Sequence, residues 1–83
     1  MDLEIGRIVI SMAGRDKGRY QAVVDITDEY ALVADGNLRK ISEPKRKNPK
    51  HLSLTKTVFS GNTLENDKLL REAILTAFGA DRR

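Results

Sequence analysis

Between Pro44 and Leu52 the chain carries Lys45, Arg46, Lys47 and Lys50, four cations in nine residues, with Asn48 and His51 beside them. A second set, Arg15, Lys17 and Arg19, occupies alternate positions of a loop that Gly14 and Gly18 shape. Such groups break no bonds. They neutralise phosphate oxygens, arginine through a planar fork and lysine as a point charge. Arg39 and Lys40 extend the patch, and Asn48 and His51 can add hydrogen bonds to sugar or base edges. Gly14 and Gly18 allow close approach of the backbone. Pro44 and Pro49 stiffen the second loop and reduce the entropy lost on docking. Asp16 is unfavourable beside phosphate, and it reads better as a turn-former or an internal partner for arginine.

Bond-making chemistry finds no comparable set. His51 is the single histidine and there is no cysteine. Disulfides and thiolate metal sites are excluded, no transition-metal site is convincing, and no cofactor is expected. A catalytic histidine needs a positioned partner, and none surrounds His51. Gly14-x-x-x-Gly18 lacks the Gly-Lys-Ser/Thr ending of a phosphate loop and precedes a strand, not a helix. The carboxylates Asp25, Asp28, Glu29 and Asp35 are scattered through turns. An enzyme is the least favoured class.

The charge is unevenly spread. Residues 1–35 hold 4 basic and 7 acidic side chains, residues 36–56 hold 7 and 1, and residues 57–83 hold 4 of each. A formal net charge of +3 thus hides a concentrated positive segment. Local field governs capture of a polyanion, so RNA is the first partner to test. Only four aromatics are present, Tyr20, Tyr30, Phe59 and Phe78. That is few for reading single strands by stacking, and it favours structured RNA held by backbone and shape.

The elements that position these residues read as mainly β. Ile5, Ile8 and Ile10 nearly alternate, Val9 adds an apolar opposite face, and Met12 and Ala13 end the strand. Gly6 suggests a bulge or sharp bend. Tyr20 to Ile26 and Tyr30 to Ala34 are the next strands. Asp35-Gly36 predicts a hairpin into a short fourth strand, Leu38 to Ile41. The basic run is then the loop to a closing strand, His51 to Leu54, and the two prolines exclude a regular helix or central strand between them. So small a sheet tends to close into an antiparallel barrel and hide its edges. Asn62 followed by Glu65 predicts the N-cap of a 15-residue C-terminal helix ending at Gly79. Leu70, Ala73, Ile74, Ala77 and Phe78 form the stripe that docks it. Residues 1–56 are the barrel and 57–83 the linker and helix of one domain. No apolar run approaches the roughly 18 residues of a membrane span. The acidic N-terminus is unlike a secretory signal, so a cytoplasmic monomer is expected.

The stretch Ile5 to Tyr20, with its Ala-Gly-Arg-Asp-Lys-Gly core, resembles a KOW motif. With Val33-Ala34-Asp35-Gly36 and Lys47-Asn48-Pro49-Lys50-His51-Leu52, it resembles ribosomal proteins of the L-fourteen-e type over roughly residues 4–55. The resemblance implies an SH3-like (KOW) barrel, ribosomal or other structured RNA as ligand, and no enzymatic activity. It places the motif glycine on Gly18, the first basic element on Arg15, Lys17 and Arg19, and the second on Lys45, Arg46, Lys47, Asn48, Lys50 and His51. Ribosomal relatives of this type commonly carry longer C-terminal extensions. On this view, alanine at both Arg46 and Lys47 removes about two phosphate contacts without unfolding the protein. The rival class is a protein-interaction module, or a transcription or translation factor, whose acidic first third faces a basic partner.

Overall fold

β-branched residues with apolar neighbours on both faces build the centre of this molecule. The computed structural model describes residues 2–79. Its strands are β1 (Arg7–Ser11), β2 (Tyr20–Thr27), β3 (Tyr30–Ala34), β4 (Lys45–Lys47) and β5 (Leu52–Val58), followed by helix α1 (Asp67–Phe78). Single 3-10 turns span Pro49–His51 and Gly61–Leu64. All pairings are antiparallel, in the order β4-β3-β2-β1-β5.

The edges of this sheet are consecutive in the chain. In a flat sheet, four spacings of about 4.8 Å would part β4 from β5 by about 19 Å. Only Asn48 to His51 joins them, and a 3-10 turn advances about 2 Å per residue. The sheet must therefore curl into a barrel-like form. Met12 N donates to His51 O at 2.8 Å and ties this connection to the end of β1.

Curling gives the central stretches of β1, β2 and β3 two buried faces. Val9, Val23, Ala31 and Val33 pack together with Leu3, Leu52 and Leu54. Ile8, Ala22 and Ala34 face outward and are covered by Leu70 and Ile74 of α1. The two-sided apolar pattern of β1 and β2 is thus a core on one face and a helix seat on the other. Each valine, leucine or isoleucine side chain so buried contributes about 1.5–3 kcal/mol. Tyr20 stacks on Phe78, with ring centroids 4.3 Å apart, and secures the end of the helix.

Gly6 makes the expected bend. Its φ is +94°, and a Cβ there would lie 2.0 Å from Phe59 O. Gly6 N donates to Val23 O and Phe59 N donates to Gly6 O, so the backbone cannot move aside without losing both bonds. Just beyond it the β1–β5 register shifts, and Thr55 Oγ1 donates to Ile8 O at 2.7 Å. Gly6→Ala should destabilise the protein by about 3 kcal/mol, read as a fall in the urea midpoint. An unchanged midpoint would mean that the bend is not required.

Two expected elements lie elsewhere. Leu38 to Ile41 is not a strand. Asp35 Oδ1 accepts from the backbone N of Asn37 and of Arg39, at 2.8 and 2.9 Å, while Asp35 N and Gly36 N both donate to Arg39 O. These bonds close the segment into a tight loop. The fourth strand lies inside the basic run instead, with Lys45, Arg46 and Lys47 opposite Val33, Leu32 and Ala31. Pro44 and Pro49 flank this three-residue edge strand and do not interrupt it. The helix is also shorter, at 12 residues. Its N-cap is Asn66, whose Oδ1 accepts from Leu69 N at 3.1 Å. Asn62 belongs to the preceding 3-10 turn. Asp67 Oδ1 accepts from Ile41 N at 2.8 Å and so fastens the Asp35–Ile41 loop to the start of α1. Within the expected stripe Leu70 and Ile74 are buried, Ala73 and Phe78 half-buried and Ala77 exposed. Gly79 ends the helix as expected, its N donating to Leu75 O.

Candidate nucleic-acid interface

The first basic loop is a tight connection between β1 and β2. Gly14 and Gly18 both take positive φ, +86° and +90°. Lys17 N donates to Gly14 O, Arg19 N to Asp16 O and Gly18 N to Ser11 O. These bonds turn the chain while Arg15 and Lys17 stay exposed.

Asp16 points inward. Its Oδ1 accepts from Ser11 Oγ at 2.7 Å and from Lys47 Nζ at 2.9 Å, and its Oδ2 accepts from Gln21 Nε2 at 2.9 Å. Lys47 Nζ also donates to Ala13 O at 2.8 Å. Burial acts to raise the Asp16 pKa. The hydrogen bonds from Lys47, Ser11 and Gln21, with the charge of Lys47, outweigh it and hold the carboxyl well below its ordinary value. Asp16 is thus an internal partner of Lys47.

This pairing corrects one expected site residue. Lys47 is 7% exposed and its ammonium is engaged by Asp16 and Ala13, so it faces the interior and not the open surface. Alanine at Lys47 would leave the Asp16 carboxylate without its counter-charge and not merely remove one cation. Arg46 lies on the opposite face of β4, exposed, with its guanidinium 4.7 Å over the Tyr30 ring. The stacking holds the side chain while leaving the guanidinium edge for a phosphate.

The remaining cations are partly gathered. Arg15, Arg19, Arg39 and Lys45 line one recess, together with Asp16, Gln21, Asp35 and Leu38. Three segments distant in sequence meet there: the 14–19 loop, the tight loop after β3, and β4. Four cations face two carboxylates there, and one of these, Asp16, is already paired with Lys47, so the recess is electropositive. Lys17, Lys40, Lys50 and His51 are exposed but do not line it. Asn48 has a structural task, its Oδ1 accepting from Lys50 N at 3.0 Å to cap the 3-10 turn. Sequence reasoning missed Gln21, Asp35 and Leu38. Gln21 was legible only as a polar residue in an otherwise apolar strand.

No family model matches the chain. Among curated proteins, the large ribosomal subunit protein eL14 of Methanococcus vannielii is 34% identical over 53 residues, 64% of this chain and 64% of that protein. The eL14 protein of Staphylothermus marinus is 34% identical over 71 residues, 83% of this chain and 74% of that protein. The chain belongs to the eL14 family. The eL14 protein of Pyrobaculum neutrophilum, 30% identical over 80 residues, extends the match to 95% of this chain and 78% of its own. The sequence resemblance to ribosomal proteins of this type is therefore borne out. The match to the two longer-matching eL14 proteins covers more of the chain than residues 4–55, so it includes residues outside the barrel strands.

Proposed function

We propose that this eL14-family chain is a non-enzymatic component of the large ribosomal subunit that binds structured ribosomal RNA through its barrel. The KOW-like loop 14–19 supplies part of the contact surface, and the cytoplasm is where the assembly forms. The observation that carries the reading is the convergence of Arg15, Arg19, Arg39 and Lys45 around one recess from three segments. The cations of this recess outnumber its two carboxylates, and a polyanion supplies the missing counter-charge. Lys17, Lys40, Arg46 and Lys50 widen the surface, and His51 adds a hydrogen-bond donor at its margin. Lys47, Asn48, Gly14 and Gly18 build the loops that present it. Rigid loops limit the entropy lost on binding.

Sedimentation of cell extract through a sucrose gradient tests this reading. The chain should travel with the large subunit at both low and high salt. Association at low salt alone would make it a transient electrostatic binder. Absence from ribosomal fractions at both would contradict the proposal and leave a protein-interaction role for the barrel.

A further inference from the structure

Gln21 is 2% exposed in the wall of the electropositive recess. Its Nε2 donates to Asp16 Oδ2. A carboxylate only accepts, so this bond fixes which way the amide is turned. Gln21 Oε1 is then left buried, and no described residue donates to it. A buried acceptor without a donor costs about 1–3 kcal/mol, so the native fold retains a polar atom that its own side chains do not satisfy.

Gln21 shares the lining of the recess with Arg15, Arg39 and Lys45. A backbone phosphodiester suits the cations, but its oxygens only accept and would do nothing for Gln21 Oε1. A neutral amide or hydroxyl donor suits Gln21 and ignores the cations. A nucleotide satisfies both, through anionic oxygens at one end and an N–H on the base edge at the other. The cavity, about 170 Å³, is several times the roughly 30 Å³ share of one water. It is smaller than the roughly 300 Å³ at which drug-sized pockets begin. Leu38, 65% exposed at its margin, offers an apolar surface to a base face.

We propose that this recess receives one unstacked nucleotide of the bound RNA. Its phosphate meets Arg15, Arg39 and Lys45, and an N–H of its base donates to Gln21 Oε1 once the lining side chains part to uncover that buried atom. The inference rests on the RNA-binding reading and adds to it one position at which a base edge is read. Splayed-out bases in loops and bulges are the usual points of sequence reading in folded RNA.

The test is titration of the isotope-labelled full chain, followed by nuclear magnetic resonance, with the four nucleoside 5′-monophosphates and separately with ribose 5-phosphate. At millimolar concentrations ribose 5-phosphate should shift signals of Arg15, Arg39 and Lys45 only. At least one nucleotide should also shift the Gln21 side-chain amide and bind about tenfold more tightly, the effect of roughly 1.4 kcal/mol. Leu38→Glu, at an exposed position, should abolish that preference while leaving the rest of the spectrum in place. Equal binding of all the probes, or nucleotide shifts that bypass Gln21, would overturn the inference. If a ribosomal RNA fragment still binds in that case, only the nucleotide recess fails. If no ribosomal RNA binds, the underlying reading fails with it.

Discussion

Asp16→Ala should lower the unfolding free energy by about 3–5 kcal/mol, because it strands the buried Lys47 ammonium without its counter-charge. That is a large part of the roughly 5–15 kcal/mol that holds a domain folded. Lys47→Ala should do comparable damage from the other side. The double variant Asp16→Leu/Lys47→Met should recover a good part of the loss, since replacing both partners leaves no lone charge. Urea midpoints of the three variants check this. A double variant whose loss equals the sum of the two single losses would contradict the coupling.

The same pair sets an acid limit. The Asp16 carboxyl titrates well below its ordinary value in the folded state, whereas in the unfolded chain it titrates near 3.9. As pH falls below about 4, the unfolded state binds a proton that the folded state still refuses. Stability present at neutral pH is therefore lost progressively on further acidification. The Asp16→Leu/Lys47→Met variant should lack this part of the acid sensitivity. The link to function is direct, because Asp16 anchors the loop that carries Arg15 and Lys17.

The second large effect is on binding. With about five phosphates neutralised, a four-fold rise in salt should weaken binding of a ribosomal RNA fragment by roughly 10²–10³. The cations that count are those left exposed or half-exposed: Arg15, Lys17, Arg39, Lys45 and Arg46 among them. Lys47 is not in the sum. A fall of less than ten-fold would mean that phosphate contacts do not dominate.

The strands β1, β2 and β3 were legible because Ile8, Val9, Ala22, Val23 and Val33 are apolar on both faces, whatever packs against them. The Asp35 turn was legible as well, but not where it leads. Its carboxylate takes the N–H groups of Asn37 and Arg39, so the chain loops instead of pairing. Lys45-Arg46-Lys47 has no strand character of its own, and β3 imposes it by edge pairing. Asn62 and Asn66 are equally good caps by type. The choice falls to Asn66 because Asp67 is held by Ile41, 26 residues away. In the site, the two basic elements could be seen as charge, but the alternation that sends Lys47 inward and Arg46 outward could not be seen until β4 was known. Burial of Lys47 depends on Asp16, 31 residues earlier, and no local pattern records such a pair.

The most direct test is the salt dependence of affinity for ribosomal RNA in the Arg15→Ala/Arg39→Ala variant, beside Lys56→Ala as a control on exposed β5. If the recess face grips phosphate, the slope of log affinity against log salt should fall by about 1.8 in the double variant. It should fall by much less in the control. An unchanged slope in the double variant, with the fold intact, would contradict the assignment and place the RNA on another face.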